Sequence, residues 1–178
     1  MFDLDGSLWA VLSKWTDYIL LNILFVLFSL PIITLGASQA ALYHMVSQRR
    51  KDEEGPLFGG FVQSFKAHWK PTTKLWLLFV GVNTLLGMNV YALTLISGGW
   101  FTMVYMAATT ILFIFIQGTY WHGMMLCIHG KMPYVQAMIQ GWTLTMVKLP
   151  QTLGLVLLWH LPLVLIFFFT AYTLYVLT

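Results

Sequence analysis

Four long apolar stretches dominate the chain and predict four transmembrane helices. They cover residues 15–35, 75–96, 101–128 and 153–177. A bilayer core about 30 Å thick requires about 20 predominantly apolar residues in a helix, and each stretch is long enough. The last three contain no Asp, Glu, Lys or Arg, and the first has none after Asp17. Because a charge at mid-bilayer costs about 2.5–3.5 kcal/mol, this absence supports the assignment.

Glycine and proline residues mark the breaks in these stretches. The short connection Ser97-Gly98-Gly99 separates the second stretch from the third and predicts an antiparallel helical hairpin. Pro31 and Pro162 lie inside the first and fourth stretches, and each removes a backbone donor, which predicts a kink. Proline is tolerated in membrane helices, so a kink does not by itself indicate a gate.

The positive charges are concentrated in the two segments that connect the first stretch to the second and the third to the fourth. By the positive-inside rule both segments are predicted to be cytoplasmic and both termini to lie outside, in agreement with an even number of crossings. The first segment carries Arg49, Arg50, Lys51, Lys66, Lys70 and Lys74, and the second carries Lys131 and Lys148.

The segment 61–70 predicts an amphipathic helix on the cytoplasmic side. At about 100° per residue its aromatic side chains share one face and its lysines share the other. Two interpretations are open: the helix lies in the membrane interface with its lysines on anionic lipid, or it packs on the protein's own cytoplasmic ends. With the basic end of the preceding segment it forms the predicted partner or lipid interface: Phe61, Phe65, Lys66, Trp69, Lys70, Arg49 and Arg50.

The preceding segment, 37–50, predicts another cytoplasmic helix. Ala41 and Met45 contribute to a modest apolar stripe, and Gly36 and Ala40 have a small-xxx-small spacing that permits close helix contact. The charged segment 49–56 that follows is predicted to form a solvated cytoplasmic turn.

The segment 134–142 repeats the pattern of residues 61–69 at a constant offset. Each copy precedes an apolar stretch, so the pattern predicts a twofold parallel internal repeat. The repeat units cover about 15–96 and about 101–177 of a single transmembrane domain, 1–178. The second copy lacks the basic face. The matching pairs are Phe61 with Tyr134, Val62 with Val135, Gln63 with Gln136, Phe65 with Met138 and Trp69 with Trp142.

The sequence offers little for catalysis or metal binding. Cys127 is the single cysteine, which excludes an internal disulfide. His122 and His129 lie about two helical turns apart, but no acidic residue follows Glu54, and the set falls short of a metal site. There is no phosphate loop, nucleophile motif or paired carboxylate. No enzymatic activity, cofactor or metal is therefore predicted, and a net charge of +3 does not indicate a nucleic-acid partner.

The residues 30–43, Leu-Pro-Ile-Ile-Thr-Leu-Gly-Ala-Ser-Gln-Ala-Ala-Leu-Tyr, resemble the signature of the YesL-like family of bacterial membrane proteins. The acidic–glycine element 52–55 and the basic helix 61–70 follow in the family's order and spacing. The resemblance implies a multi-pass protein of the bacterial cell membrane that accompanies carbohydrate uptake systems of the ABC type. It supplies no catalytic residues, because the family has no settled biochemical activity.

Two functions from different classes are open at this stage. The first is an accessory or regulatory subunit that binds permease subunits of a sugar ABC transporter through the segments 37–50 and 61–70. The second is a self-contained small-solute transporter or channel, favoured by the repeat, the prolines and intramembrane asparagines such as Asn83 and Asn89. Four helices are few for a substrate path, so the second requires an oligomer. A membrane enzyme ranks lowest, because only histidines could serve as general bases.

Overall fold

All the described secondary structure is helical, which confirms the all-α class. A computed structural model of the chain describes residues 4–51, 55–95 and 99–177, and no strand occurs within those ranges. The helices are α1 (Leu4–Ser29), α2 (Leu35–Arg50), α3 (Leu57–Leu95), α4 (Trp100–His129), α5 (Tyr134–Val147) and α6 (Leu149–Leu177).

Three of the described helices are long and apolar enough to cross a membrane. They are α1 over Leu12–Ser29, α3 over Leu57–Leu93 and the whole of α4, and the bent pair α5–α6 supplies a fourth candidate. Large apolar side chains such as Leu85 and Met103 are exposed on these helices, as lipid-facing side chains are. The chain therefore has the architecture of a multi-pass membrane protein.

The helix α1 ends at Ser29, so the first predicted stretch, 15–35, is not one helix. Pro31 is extended, with φ −76° and ψ 116°, and a short 3-10 turn follows it. The Thr34 hydroxyl lies 2.6 Å from the carbonyl oxygen of Phe28 and 2.7 Å from that of Pro31. It can therefore donate a hydrogen bond to a carbonyl group that has no partner within the helix where α1 ends. The predicted kink at Pro31 is therefore a helix end, at which the chain turns into α2.

The helix α3 runs without interruption, whereas the sequence predicts a cytoplasmic helix at 61–70 and a separate span at 75–96. Pro71 lies within it and lacks the N–H that an α-helix would use. The next residue, Thr72, is buried, and its hydroxyl donates to the carbonyl of His68 at 2.6 Å. Tertiary packing at Thr72 thus holds the helix through the proline.

The second half of the chain follows the prediction more closely. The third predicted stretch is α4, and the predicted segment 134–142 lies within α5. The chain bends by 102° between α5 and α6, at Lys148. The helix α6 continues through Pro162, where a kink stays a prediction. The elements Ser97-Gly98 and Asp52-Glu53-Glu54 lie outside the described residues.

The chain divides into two compact units, and each is described by itself below. They do not coincide with the predicted repeat units, because each takes segments from both halves of the chain. The repeat therefore stays a prediction. Unit one comprises Met1–Val80 and Met124–Ala137, and unit two comprises Gly81–Gly123 and Met138–Thr178.

Candidate interaction site

In unit one, α1 and α2 lie side by side and run in opposite directions. Leu21 of α1 belongs to one buried cluster with Ala41 and Met45 of α2. One turn further along each helix, the Arg49 Nε lies 3.4 Å from the Asp17 Oδ2. Because 17 precedes 21 while 49 follows 45, these contacts define an antiparallel helical hairpin with the Pro31 turn at its tip.

Small side chains allow α2 to approach α3 closely. A Cβ atom added to Gly36 would lie 2.5 Å from the Cβ of Trp76 and 2.7 Å from the carbonyl oxygen of Thr72, so only glycine fits. The small-xxx-small spacing seen in the sequence therefore marks a helix contact. The buried residues of α2 are Gly36, Ala37, Ser38, Ala40, Ala41 and Met45.

The aromatic face of α3 packs on this hairpin. Phe61 has no exposed surface and belongs to the same cluster as Leu21 and Met45. The ring of Phe28 in α1 lies 5.5 Å from that of Phe61 and 5.2 Å from that of Phe65, measured between centroids. Of the two interpretations of the amphipathic segment, packing on the protein's own helices therefore describes Phe61 and Phe65.

Three lysines occupy the exposed side of α3. Lys66, Lys70 and Lys74 are all exposed and recur every four residues, so they form a line with steps of about 6 Å. The Lys74 Nζ lies 5.4 Å from the ring centroid of Tyr134, within cation–π range. The helix α3 contains no acidic residue, and none follows it in the sequence. We call Lys66, Lys70 and Lys74 the basic stripe.

The two arginines of the predicted interface differ in their surroundings. Arg49 pairs with Asp17 and also donates to the carbonyl of Gly55 at 2.7 Å, so its charge is engaged within the fold. Arg50 is exposed. The structure thus divides the predicted interface residues into one that is buried, Phe61, three that are half-buried, Phe65, Trp69 and Arg49, and three that are exposed, Lys66, Lys70 and Arg50.

Lys74 belongs to the basic stripe but was not among the predicted interface residues. The sequence-based boundary between the amphipathic helix and the span falls just before it. The continuity of α3 removes that boundary. The signal that could have found Lys74 is its four-residue spacing from Lys70, which places both on one helix face.

A cavity of about 440 Å³ lies beside Arg49, between the end of α2 and the beginning of α3. The amide side chains of Gln48 and Gln63 line it together with Gly59 and Gly60. The absence of a side chain at Gly60 keeps the backbone of α3 close to Met45 of α2. The cavity adjoins the basic end of the hairpin.

Histidines gather around α2 without forming a metal centre. The rings of His44 and His68 lie 5.4 Å apart, and the His68 Nδ1 lies 2.9 Å from the Ser64 carbonyl oxygen. The His129 Nε2 lies 3.4 Å from the Ser47 hydroxyl. Among the described residues, no group of three metal-ligating side chains occurs.

Unit two contains a helix contact of the same kind as the one at Gly36. A Cβ atom on Gly118 of α4 would lie 2.6 Å from the Cγ2 of Thr145 in α5. Thr145 occupies the position that corresponds to Thr72 in the predicted repeat, and both threonines are buried. A glycine thus meets a buried threonine in each unit, although the repeat itself stays a prediction.

A cleft of about 340 Å³ lies between α3 and α4 within unit two. Asn83, Thr109 and Thr110 contribute its polar groups. Both threonine hydroxyls donate to carbonyls one turn earlier in their own helix, at 2.8 Å. The cleft therefore presents a mainly apolar surface with few available polar groups.

The fold and this site define a class, namely a multi-pass helical membrane protein with a basic face on one long helix. Residues 18–90 match a family model described as "Protein of unknown function, DUF624". The match includes the whole α1–α2 turn and the basic stripe, and it confirms the resemblance to the YesL-like family in general for that segment. No curated protein and no solved structure matches the chain.

Proposed function

We propose that the protein is an accessory or regulatory subunit that binds the permease subunits of a carbohydrate ABC transporter in the bacterial cell membrane. The observation that carries the proposal is the basic stripe, Lys66, Lys70 and Lys74, on a helix whose opposite face is packed on α1 and α2. The class of partner is what the sequence resemblance to the YesL-like family implies, because the family model matched by residues 18–90 is described only as of unknown function.

The packing of α3 makes the basic stripe suitable for docking. Because Phe61 and Phe65 hold the helix on the hairpin, the lysine backbone positions are set before a partner arrives. Preorganisation reduces the entropy lost on binding. Three like charges attract an acidic cytoplasmic loop and raise its association rate, while each exposed ion pair adds only about 0–1 kcal/mol.

Exposed aromatic residues of unit one supply further contact area. Phe58, at the beginning of α3, is 62% exposed, and Tyr43 of α2 is 40% exposed. Aromatic side chains of this kind are enriched at the centres of protein interfaces. A permease loop that carries both carboxylates and apolar side chains would complement this surface.

The proposal places the two basic connecting segments in the cytoplasm, according to the positive-inside rule. The basic stripe then faces the side of the membrane on which a transporter is energised. For the end that follows α6, the proposal keeps the expectation of an outside location.

Co-purification from the native membrane tests the proposal. The tagged protein is extracted in mild detergent, and the proteins that accompany it are quantified by mass spectrometry. Stoichiometric recovery of sugar permease subunits is expected. Recovery of the protein alone, as a discrete oligomer, would contradict the accessory role.

One observation favours a second function, a self-contained small-solute transporter or channel. The cleft between α3 and α4 has a volume of about 340 Å³ and lies beside the Asn83 side chain within apolar helices. Several copies would be needed to enclose a continuous path from such clefts. Reconstitution of the protein alone in liposomes tests this function, and absence of flux across a panel of sugars would count against it.

A further inference from the structure

Between its charged end and its tip, the α1–α2 hairpin is too short to cross a membrane and return, although the apolar part of α1, Leu12–Ser29, is long enough by itself. Its charged end is marked by the Asp17–Arg49 ion pair, and its tip by the turn at Pro31. From Asp17 to the end of α1 at Ser29, the helix rises by about 18 Å. The hydrocarbon core of a bilayer is about 30 Å thick.

The helix α3 runs along the hairpin from its charged end to its tip. At the charged end, a Cβ atom on Gly60 would lie 2.8 Å from the Cε of Met45. At the tip, the Trp76 indole N–H donates to the carbonyl of Ile32 at 2.9 Å. The direction of α3 is therefore opposite to that of α2, and α3 reaches the level of the tip at Trp76.

Beyond Trp76, α3 continues for about 19 residues to Leu95, roughly 28 Å at 1.5 Å per residue. This part contains no charged residue, and its length matches the hydrocarbon core. The lysines Lys66 and Lys70 lie before Trp76, between the charged end and the tip. The tip therefore lies near one boundary of the hydrocarbon core, and the charged end lies further out on that same side.

We infer that the α1–α2 hairpin enters and leaves the membrane on the cytoplasmic side and does not cross it, so that the beginning of α1 and the basic end of α2 share one side. The cytoplasmic side follows from Arg49, Arg50 and the basic stripe by the positive-inside rule. This topology replaces the expectation that the first stretch crosses with its beginning outside. It leaves α3, α4 and α6 as the crossing helices.

The lipid of the cytoplasmic leaflet is the partner that fits the outer face of the hairpin. Exposed aliphatic side chains cover that face of α1, and Ile32 and Ile33 at the tip are 71% and 57% exposed. Such a surface is unfavourable in water and favourable against acyl chains. The exposed α1 residues are Ile19, Leu20, Ile23, Val26 and Leu27, and the exposed Leu30 follows them in the turn.

Cysteine accessibility in native membranes tests this topology independently of any protein partner. Cys127, which is buried, is first replaced in Cys127→Ser. Single cysteines are then introduced by Ser13→Cys before the hairpin, Lys51→Cys after it, and Trp100→Cys at the beginning of α4. A membrane-impermeant maleimide is applied to intact spheroplasts and to inside-out vesicles, and the labelled fraction is measured against fully permeabilised samples.

The inference predicts that Ser13→Cys and Lys51→Cys are labelled in inside-out vesicles and that Trp100→Cys is labelled in spheroplasts. At least a tenfold preference for the stated side is expected for each. Labelling of Ser13→Cys and Lys51→Cys from opposite sides would overturn the inference, as would labelling of Trp100→Cys from the same side as Lys51→Cys. Should Ser13→Cys fail to accumulate, Ser7→Cys takes its place. If neither Ser13→Cys nor Ser7→Cys is labelled in spheroplasts or in inside-out vesicles, the inference is also overturned.

Discussion

The Arg49 guanidinium of α2 and the Asp17 carboxylate of α1 form an ion pair, with Nε 3.4 Å from Oδ2. Both side chains are largely buried, with 18% and 23% of their surfaces exposed. The pair joins two helices at the end opposite to the Pro31 turn, so it closes the hairpin. Removal of one partner leaves the other charge partly buried, which is costlier than loss of a surface pair.

Exchange of the two charges tests the ion pair. Asp17→Arg and Arg49→Asp should each lower the free energy of unfolding by about 1–2 kcal/mol, because each places like charges together. The double variant should recover about 1 kcal/mol through the reversed pair, less than the full loss because Arg49 also donates to Gly55. Thermal unfolding in detergent, analysed as a double-mutant cycle, measures the coupling. Purely additive effects would contradict the pairing.

The close contact of α2 with α3 at Gly36 predicts that a single added methyl group lowers the stability of the protein substantially. Gly36→Ala should destabilise the protein by about 1–3 kcal/mol, because the new Cβ would overlap Trp76 and Thr72. Gly81→Ala is the matched control, since a Cβ there meets nothing within 4 Å. The control should be neutral or slightly stabilising through its helix propensity. Equal unfolding temperatures for both variants would mean that α2 and α3 are not in contact at Gly36.

Phe61 and Phe58 lie one turn apart on α3 and have opposite environments. Phe61 is completely buried in the cluster with Leu21 and Met45, whereas Phe58 is 62% exposed. Phe61→Ala should cost about 3 kcal/mol through lost burial and a cavity, and Phe58→Ala should cost less than about 1 kcal/mol. Chemical unfolding of the two purified variants gives the comparison. A larger loss for Phe58→Ala would show that the helix presents the other face to the hairpin.

The sequence predicts the apolar helices of this chain well, because their length and lack of charge are local properties. It also indicates the close packing of α2, since the small residues Gly36 and Ala40 are spaced so that they permit close contact with another helix. It does not predict the reversal at Pro31. A proline shows that a helix is disturbed, but the angle depends on contacts such as Asp17–Arg49 between residues far apart in the chain.

The sequence does not predict that α3 is continuous, because its local signals indicate a break that tertiary packing overrides. Pro71 and the change from basic to apolar composition both indicate a boundary, and local rules favour ending the helix there. Burial of Thr72 and Leu75 overrides that preference. As a result, Lys74 lies on the basic stripe and Phe61 lies in the core of unit one.

The basic stripe is the central feature of the proposed accessory role, and charge reversal on it gives the most direct test. The variant Lys66→Glu with Lys70→Glu is compared with the control Lys51→Glu with Lys131→Glu, which changes the net charge equally at exposed positions that do not belong to the stripe. Each protein is tagged, extracted from its native membrane in mild detergent, and quantified with its co-purified permease subunits. We expect at least a tenfold loss of permease for the stripe variant, with an unchanged unfolding temperature and unchanged permease recovery for the control. Equal recovery of permease with both variants, or none with the unaltered protein, would contradict it.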